Sequence, residues 1–312
     1  MGIRPATLYA YVSRGLLASL PAEGKGRSRR YLRDDVLRLK ARHDARSGHA
    51  PVAAAALRWG EPVLDTAVGD ITPAGPRYRG ILAVDLARAG TPFENVAEVL
   101  WSGALPEATD WPGPSTFGRV SLGPGTTTPL FRLGPLFAAI AARDKARFAV
   151  AKDLELERAR RIIGALPWIL APERFDRTVR SKMPLAARIC RVLGAAPTQP
   201  RVRAIDAALV LSADHELNVS SFAARVVAST GADIHACLAA AAAALTGPLH
   251  GGATERVEAL LEETRAGKTV RSALEARARR AEPLPGLGHP LYPNGDPRAW
   301  VLLELAFGIA PR

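Results

Sequence analysis

What this 312-residue sequence lacks excludes several classes of protein. It has only two cysteines, Cys190 and Cys237, which lie far apart without the spacing of zinc ligands, so we expect neither a disulfide scaffold nor a zinc site. The most apolar run, residues 236–245, is mostly alanine and too short to span a bilayer, and the N-terminus has no apolar signal core. No phosphate-binding loop or dinucleotide fingerprint is present. We therefore expect a cytoplasmic protein that makes no membrane contact.

Aromatic residues are also scarce, at 6% of the sequence, whereas alanine and leucine abound. Alanine and leucine favour helices, while aromatic and β-branched residues favour strands, so the composition predicts an all-α protein. Hydrophobic residues make up 48% and charged residues 23%, which is typical of a folded globular chain. The length allows two or more domains.

Positive charge is concentrated at the N-terminus. The formal net charge is +12, and the first 50 residues hold eleven Lys and Arg against four Asp and Glu. Residues 4–17 predict a short helix, with Pro5 near its start and Gly15 at its end. Residues 28–32 follow a turn of Gly, Lys and Arg, and a basic helix follows from residue 33 to about 46.

This order resembles a MerR-type winged helix-turn-helix over roughly residues 1–42. The resemblance makes the 5–14 region the recognition helix, although no helix precedes the turn. We expect at most weak, non-specific nucleic acid binding. The alternative is a small dimer-facing or linker module that has kept a basic surface.

Three of the six histidines lie in unusual settings. His250 stands between Gly-Pro-Leu and Gly-Gly, where the backbone can turn sharply and approach a ligand closely. His215 lies in Ala-Asp-His-Glu, and His289 in Gly-Leu-Gly-His, with Asp-Pro-Arg at residues 296–298 shortly after it. These segments, in this order, resemble the three histidine motifs of the citrate synthase family.

The family reaction is a Claisen-type condensation of acetyl-CoA with oxaloacetate or a similar keto acid, which releases free coenzyme A. It requires a hydrogen bond to the developing enolate oxygen, a polarised keto oxygen and cations for the keto acid carboxylates. A neutral histidine can donate its ring N–H to either oxygen, and the planar fork of arginine pairs with a carboxylate.

The resemblance assigns a role to each matching residue. His250 would bind the thioester carbonyl and stabilise the enol, and His289 would polarise the keto carbonyl. His215 would bind the keto acid, and Arg298 would pair with one of its carboxylates. The resemblance also implies a homodimer, for which the small-residue helices of residues 222–245 are suited, and no metal or prosthetic group.

Each of these residues also has a structural interpretation when taken alone. A single histidine beside a helix end is more often a cap or a satisfied core group, and Asp-Pro-Arg is more often a helix start. Glu216 and Glu255 are expected to be structural hydrogen-bonding groups. His43, His49 and His235 match no motif and are expected to be structural or exposed.

Two departures from the family pattern bear on activity. Many relatives have Arg-Val-Tyr-Lys after the third histidine, whereas residues 290–293 here are Pro-Leu-Tyr-Pro, which lack the basic groups that could meet coenzyme A phosphates. The family's general base is an aspartate well after Asp-Pro-Arg, and a substrate-binding arginine follows it. With the last residue at 312, we expect that segment to be missing and turnover to be slow. Asp296 is a candidate substitute base, although a helix start favours capping.

The expected architecture is therefore a winged-helix-like module at 1–48, a large helical domain at 49–248 and an incomplete small helical domain at 249–312. One alternative function is a catalytically inactive, metabolite-sensing DNA-binding regulator, and a second is a DNA-binding protein with an inert helical body.

A hairpin or extended element is predicted at 71–81 and a loop at 106–130. The predicted helices are 91–105, 132–148, 153–170, 184–194, 201–213 and one or two within 222–245, with a break at Gly231.

Overall fold

The computed structural model divides the chain into two compact units, Met1–Arg58 and Trp59–Arg312. In the second unit it describes residues 66–107, 109, 111, 128–149, 151–171, 183–215, 218–267, 269–289 and 291–309. In the first unit it describes residues 8, 11–13, 17, 19–21, 29–31 and 36.

The first unit contains a short antiparallel strand pair. Strand β1 (Ser19–Pro21) pairs with β2 (Arg29–Tyr31), and Nη1 of Arg29 donates a hydrogen bond to Oγ of Ser19 at 3.0 Å. Residues 8, 11–13 and 36 are helical, within the two helices predicted for this region. The remainder of those helices lies outside the described residues.

The second unit is mostly helical, as the composition predicts. Its described part holds eleven helices, and each predicted helical segment from residue 91 to 245 overlaps at least one of them. They are α1 (Ala83–Ala89), α2 (Phe93–Ser102), α3 (Pro129–Ala141), α4 (Lys152–Leu170), α5 (Leu185–Val192), α6 (Gln199–Leu211), α7 (Val219–Ala228), α8 (Ile234–Leu245), α9 (Ala253–Arg265), α10 (Val270–Arg279) and α11 (Pro297–Ile309).

The segment 222–245 forms two helices, and the predicted break at Gly231 is confirmed. Gly231 has a φ of 77°, a left-handed conformation that glycine adopts without a Cβ clash. The first helix begins earlier than predicted because Asn218 caps it, accepting a hydrogen bond from N of Ser221 at 3.0 Å. Asp233 caps α8 in the same way, accepting from N of Ala236 at 3.0 Å.

A three-stranded antiparallel sheet precedes the helices, where a hairpin was predicted. Its strands are β3 (Gly69–Thr72), β4 (Gly75–Tyr78) and β5 (Ile81–Leu82), in the order β3-β4-β5. Arg79 has a φ of 50° in the turn between β4 and β5. Its Nη2 donates a hydrogen bond to the carbonyl oxygen of Leu100 at 3.0 Å, which ties the sheet to the last turn of α2.

The main core surrounds α6, which packs against α1, α2, α5 and α11. The apolar side chains buried there come from β4, α1, α2, α6 and α11, and burial of such surface is the main favourable term in folding. They are Tyr78, Ala83, Val84, Leu86, Ala87, Val96, Ala207, Val210, Leu211 and Val301.

Two carboxylates, the buried Glu94 and the partly buried Asp206, cap helices to which they do not belong. Proline precedes both α2 and α5, so neither helix has a side-chain cap of its own. Asp206 on α6 accepts a hydrogen bond from N of Phe93 at 2.9 Å, and Glu94 accepts one from N of Leu185 at 2.7 Å. These bonds satisfy helix N-termini that would otherwise lack partners and join α2 to α5 and α6.

A second core joins α3, α4 and α8 through Phe137, Ile162 and Ala242. At its edge His235, only 1% exposed, places Nε2 3.1 Å from Oδ2 of Asp144. The same carboxylate oxygen accepts a hydrogen bond from Nε of Arg158 at 2.7 Å. His235 is thus one of the structural histidines expected outside the motifs. None of the helices among the described residues is both long enough and apolar enough to cross a bilayer.

Candidate active site

His215 lies just beyond the C-terminal end of α6, and the buried Tyr78 fixes the turn that carries it. The Tyr78 hydroxyl donates a hydrogen bond to the carbonyl oxygen of Val210 at 2.7 Å and accepts one from N of Asp214 at 3.4 Å. Burial raises the pKa of Tyr78 to about 12, so the hydroxyl keeps its proton. A Cβ at Gly69 would collide with Oδ2 of Asp214, so a larger residue at this position of β3 would force the Asp214 side chain to move.

His289 lies in a glycine-rich turn between α10 and α11. Gly286 and Gly288 have φ values of 77° and 79°, which favour glycine. The backbone N of Tyr292 donates to the carbonyl oxygen of His289 at 2.9 Å, and N of Leu291 donates to its ring Nδ1 at 3.2 Å. Because Nδ1 accepts a hydrogen bond, the neutral ring carries its proton on Nε2 and can donate it.

The rings of His215 and His289 meet, although 74 positions separate them in the sequence. Their centroids are 5.3 Å apart with the rings inclined at 69°. The Tyr292 ring packs against both, at 5.9 Å from His215 and 5.1 Å from His289. The Tyr292 hydroxyl lies 3.3 Å from Nε2 of His215. The structure thus brings together two of the three motif histidines.

Arg298 joins this cluster at the start of α11. Its Nη2 donates to Oδ2 of Asp296 at 2.6 Å and its Nε to Oδ1 at 3.0 Å, and its guanidinium carbon lies 5.5 Å from the Tyr292 ring centroid. Burial alone would raise the pKa of Asp296, but the hydrogen bonds and charge of Arg298 outweigh it and lower that pKa. Asp296 is therefore ionised and already paired.

Both clustered histidines are electrically neutral near pH 7. Burial lowers the pKa of His215 to about 4, and the positive charge of Arg298 adds to this effect. Burial and Arg298 also lower the pKa of His289. The cluster therefore combines one fixed cation with two uncharged imidazoles, which suits hydrogen-bond donation to an oxygen beside a carboxylate site.

His250 occupies a tight turn between α8 and α9. A Cβ at Gly251 would lie 2.6 Å from the carbonyl oxygen of Leu245, and one at Gly252 would lie 2.7 Å from that of Thr246, so both positions require glycine. The His250 Nε2 lies 3.0 Å from Oγ of Ser220. Burial lowers the pKa of His250, so this ring is also largely neutral at pH 7.

A sequence model described as citrate synthase, C-terminal domain, matches residues 56–311. The chain belongs to the citrate synthase family. It is 34% identical over 245 residues to a protein of Mycobacterium tuberculosis named "putative citrate synthase 2", which covers 76% of this chain and 65% of the relative. It is 32% identical over 263 residues to a 2-methylcitrate synthase of Shewanella oneidensis, which covers 78% and 69%. The chain thus spans about two thirds of the length of these curated relatives.

Solved structures of citrate synthases share the fold. One is the Thermoplasma acidophilum enzyme in a ternary complex with carboxymethyl coenzyme A and oxaloacetate. It has a TM-score of 0.66 and 25% identity over 77% of this chain and 68% of that one. Another, from Thermotoga maritima, has a TM-score of 0.63 and 26% identity over 81% and 72%. The predicted all-α citrate synthase architecture is therefore confirmed.

Against this family background, the motif residues fall into two sets of contacts. The cluster around Tyr292 contains His215, His289, Arg298 and Asp296. The side chain of His250 instead contacts Ser220 at the start of α7. The convergence of all three histidines on one ligand stays a prediction. Glu255 accepts a hydrogen bond from Oγ1 of Thr128 at 3.4 Å, which fits its expected structural role. Glu216 lies outside the described residues.

Sequence reasoning missed three contributors to this candidate site. Tyr292 and Tyr78 contact or position the cluster, and Ser220 contacts His250. Ser220 follows the capping residue Asn218, so its place near a helix start was readable, but its partner was not. Within the described residues, no group of three or more His, Cys, Asp or Glu side chains is arranged to hold a metal ion.

Proposed function

We propose that this chain acts as a citrate-synthase-type acyltransferase, condensing acetyl-CoA with oxaloacetate or a similar keto acid. The observation that carries the proposal is the cluster of His215, His289 and Arg298 around Tyr292. It offers a neutral N–H donor beside an arginine fork, which matches a keto group next to a carboxylate. The Thermoplasma acidophilum relative was solved with oxaloacetate bound, which supports this substrate class.

In the proposed reaction, a general base takes a proton from the thioester methyl, the role that the family pattern gives to an aspartate after Asp-Pro-Arg. The resulting enolate attacks the keto carbon and forms the new C–C bond. His250 donates a hydrogen bond to the enolate oxygen. The N–H at Nε2 of His289 donates to the keto oxygen, which becomes the hydroxyl of the product. Water then cleaves the thioester and releases free coenzyme A. These steps use N–H donors and a guanidinium, and we propose no metal or prosthetic group for them.

Arg298 receives the keto acid carboxylate by exchanging partners. In the proposed bound state a substrate carboxylate takes part of the fork that Asp296 now holds. Asp296 thus acts as a counter-ion in the unliganded site. Its lowered pKa makes it a weak base, so we favour this role over the substitute base that the sequence suggested.

The identity of the acyl group is part of the proposal. The likeness to a 2-methylcitrate synthase supports testing a thioester with one more methyl group beside acetyl-CoA. The decisive experiment measures thiol release from acetyl-CoA and from propionyl-CoA, each with and without oxaloacetate. We expect release that depends on oxaloacetate and is lost in His289→Ala but kept in Arg265→Ala, whose exposed side chain pairs with Glu262 on α9. Keto-acid-independent release, equal in all three proteins, would contradict the proposal.

We further propose a cytoplasmic homodimer formed through α7 and α8. Although α7 is rich in apolar residues, none of its residues, all described, is buried, and Val226 is 48% exposed. Alanine predominates in α8, so a partner helix could approach closely. Light scattering should give twice the mass of one chain, and Val226→Glu should shift the protein toward the monomer. A monomeric parent protein at micromolar concentration would contradict this assembly.

For the first unit we propose weak, sequence-independent contact with nucleic acid, as the likeness to MerR-type winged helices suggests. Arg29 and Arg30 on β2 are both exposed, in a segment with excess positive charge. Fluorescence anisotropy with two unrelated DNA duplexes should give equal affinities that fall steeply with added salt, because counterion release drives such binding. Tight binding of one duplex only, persisting at physiological salt, would contradict this proposal and favour a regulator.

A further inference from the structure

Tyr292 is the central residue of the cluster, and no role was assigned to it from the sequence. It is only 4% exposed and lies three residues after His289 and five before the start of α11. Its backbone N–H is bonded to His289, and the two residues form an isolated antiparallel bridge. Its position is therefore fixed by the same turn that presents His289.

The side chain of Tyr292 contacts all three members of the cluster that carries the proposed function. Its hydroxyl reaches Nε2 of His215, its ring packs against His289, and the guanidinium of Arg298 lies over that ring. The contact with His215 links segments 77 residues apart. A single aromatic side chain thus sets the spacing of two imidazoles and one cation.

We propose that Tyr292 is the positioning residue of the keto-acid site, with its hydroxyl selecting the tautomer of His215 and its ring supporting Arg298. Only the kinetic consequence of this inference depends on the proposed function. The tautomer is a property of the unliganded protein and can be tested without any turnover.

The proposal gives the Tyr292–His215 hydrogen bond a direction, from the hydroxyl to the ring nitrogen. Burial raises the pKa of Tyr292, so its hydroxyl is protonated and can donate. Nε2 of His215 lies 3.3 Å from that hydroxyl, within reach of the donated proton. A neutral His215 that accepts at Nε2 carries its proton on Nδ1, and this is the tautomer that the proposal assigns to it.

This arrangement keeps one cation in the site. A hydroxyl that donates to Nε2 stabilises the neutral imidazole and opposes a second proton on His215. An incoming carboxylate then meets the positive charge of Arg298, with no second positive charge on a neighbouring imidazole. The aromatic ring adds a separate contribution because it holds the guanidinium whether or not the hydroxyl is present.

Nitrogen NMR on histidine-labelled protein tests the tautomer directly. The resonances of His215 are identified by their loss in His215→Asn. In the parent protein we expect an unprotonated Nε2 shifted by an accepted hydrogen bond and a protonated Nδ1. In Tyr292→Phe that Nε2 should move to the position of a free acceptor, and the pKa of His215 should rise by about 1. A proton on Nε2 in the parent protein would overturn the proposal.

Binding and kinetics separate the hydroxyl from the ring. Calorimetric titration with oxaloacetate should show about 3- to 10-fold weaker binding for Tyr292→Phe, since one hydrogen bond is lost. Tyr292→Leu, which also removes the ring, should weaken it by a further factor of about 3 or more. In turnover the loss should appear in KM for the keto acid, with kcat changed less.

Thr264→Val is the control, because the Thr264 hydroxyl donates an exposed hydrogen bond to the carbonyl oxygen of Leu261 on its own helix, α9, in the same unit. It should leave the NMR signals of His215 and the oxaloacetate affinity unchanged. Equal affinities and an equal His215 pKa in the parent and Tyr292→Phe proteins would overturn the positioning role. If the parent protein shows the expected tautomer but no thiol release, the proposed function fails while the tautomer assignment stands.

Discussion

Arg298 forms a bidentate ion pair with Asp296, which lies two residues before it in the chain. Nε and Nη2 of the guanidinium each donate to a carboxylate oxygen, and the backbone N of Arg298 donates to Oδ1 as well, at 3.0 Å. An arginine fork that holds a carboxylate in this geometry is the arrangement expected for a bound acid. Under the proposed function, the carboxylate of Asp296 occupies the place of a substrate carboxylate, so we expect the two to compete.

The competition predicts an unusual outcome for Asp296→Asn. The amide oxygen can still accept from the backbone N of Arg298, but the neutral side chain releases the guanidinium. We expect KM for oxaloacetate to fall several-fold and kcat to change little, because less ion pairing must be broken on binding. Steady-state thiol release with varied oxaloacetate measures both. A loss of kcat of ~10²- to 10⁴-fold with KM unchanged would instead identify Asp296 as the general base.

Arg298→Lys tests the geometry of the fork. Lysine keeps the positive charge but cannot make two parallel hydrogen bonds with one carboxylate. Oxaloacetate binding should weaken by about 10- to 100-fold, since a hydrogen bond to a charged group contributes about 1.5–3 kcal/mol. Acyl-CoA binding should stay within twofold. The matched control is Arg265→Lys on the exposed face of α9. Calorimetric titration of both variants with oxaloacetate measures the difference. Equal affinities in the two variants would show that Arg298 does not bind the keto acid.

The histidine motifs could be recognised in the sequence, but the contacts between them could not. His215, His250 and His289 stand out because glycine, proline and capping residues around them mark local turns, and local signals are readable from one sequence. The bonds from Tyr292 to His215 and from Asp206 to Phe93 join residues 77 and 113 positions apart. Such pairs depend on how the helices pack, which periodicity and composition do not specify.

The same distinction explains the helix boundaries. Gly231 was identified as a break because its left-handed conformation is a property of that residue alone. The start of α2 at Phe93 depends on Asp206, which comes from another helix, so the sequence near residue 91 gave only its approximate position. The caps Asn218 and Asp233 carry a local signal and could have placed both helix starts in the 218–245 region.

The lowered pKa of His215 predicts that the protein loses stability in acid. This pKa is about 4 in the folded protein and near the ordinary 6.5 in the unfolded chain. Between these values the unfolded chain binds more protons, so the free energy of unfolding falls as the pH drops from 6.5 to 4. We expect a contribution of about 1–2 kcal/mol, allowing for partial exposure. Urea unfolding of the parent and His215→Asn proteins at pH 7, 5.5 and 4.5 measures it. Parallel pH curves would show that His215 does not titrate differently on folding.

Asp206 predicts the opposite pH dependence. Burial raises its pKa to about 6, above the ordinary 3.8, even though N of Phe93 donates to it. The folded protein binds more protons between these values, so this group's stabilising contribution is lost as the pH rises from 4 to 6. Asp206→Asn keeps an acceptor for Phe93 without the buried charge. Its advantage over the parent protein should grow by about 1–2 kcal/mol between pH 4 and 7, as measured by urea unfolding. A constant difference across this range would refute the raised pKa.

His250 and Ser220 predict a division between rate and binding. A hydrogen bond to the enolate oxygen strengthens as negative charge develops, so His250→Ala should lower kcat by ~10²- to 10³-fold and leave oxaloacetate affinity nearly unchanged. Ser220 contacts Nε2 of His250 at 3.0 Å and Oδ1 of Asn218 at 2.6 Å, so it links the histidine to the cap of α7. Ser220→Ala should therefore lower kcat by about 3- to 10-fold through the orientation of the ring alone. Ser229→Ala is the control: it removes a hydroxyl at the exposed end of α7, opposite the end that carries Ser220, and should have no effect. A fall in oxaloacetate affinity as large as the fall in kcat for His250→Ala would place this histidine in the keto-acid site instead.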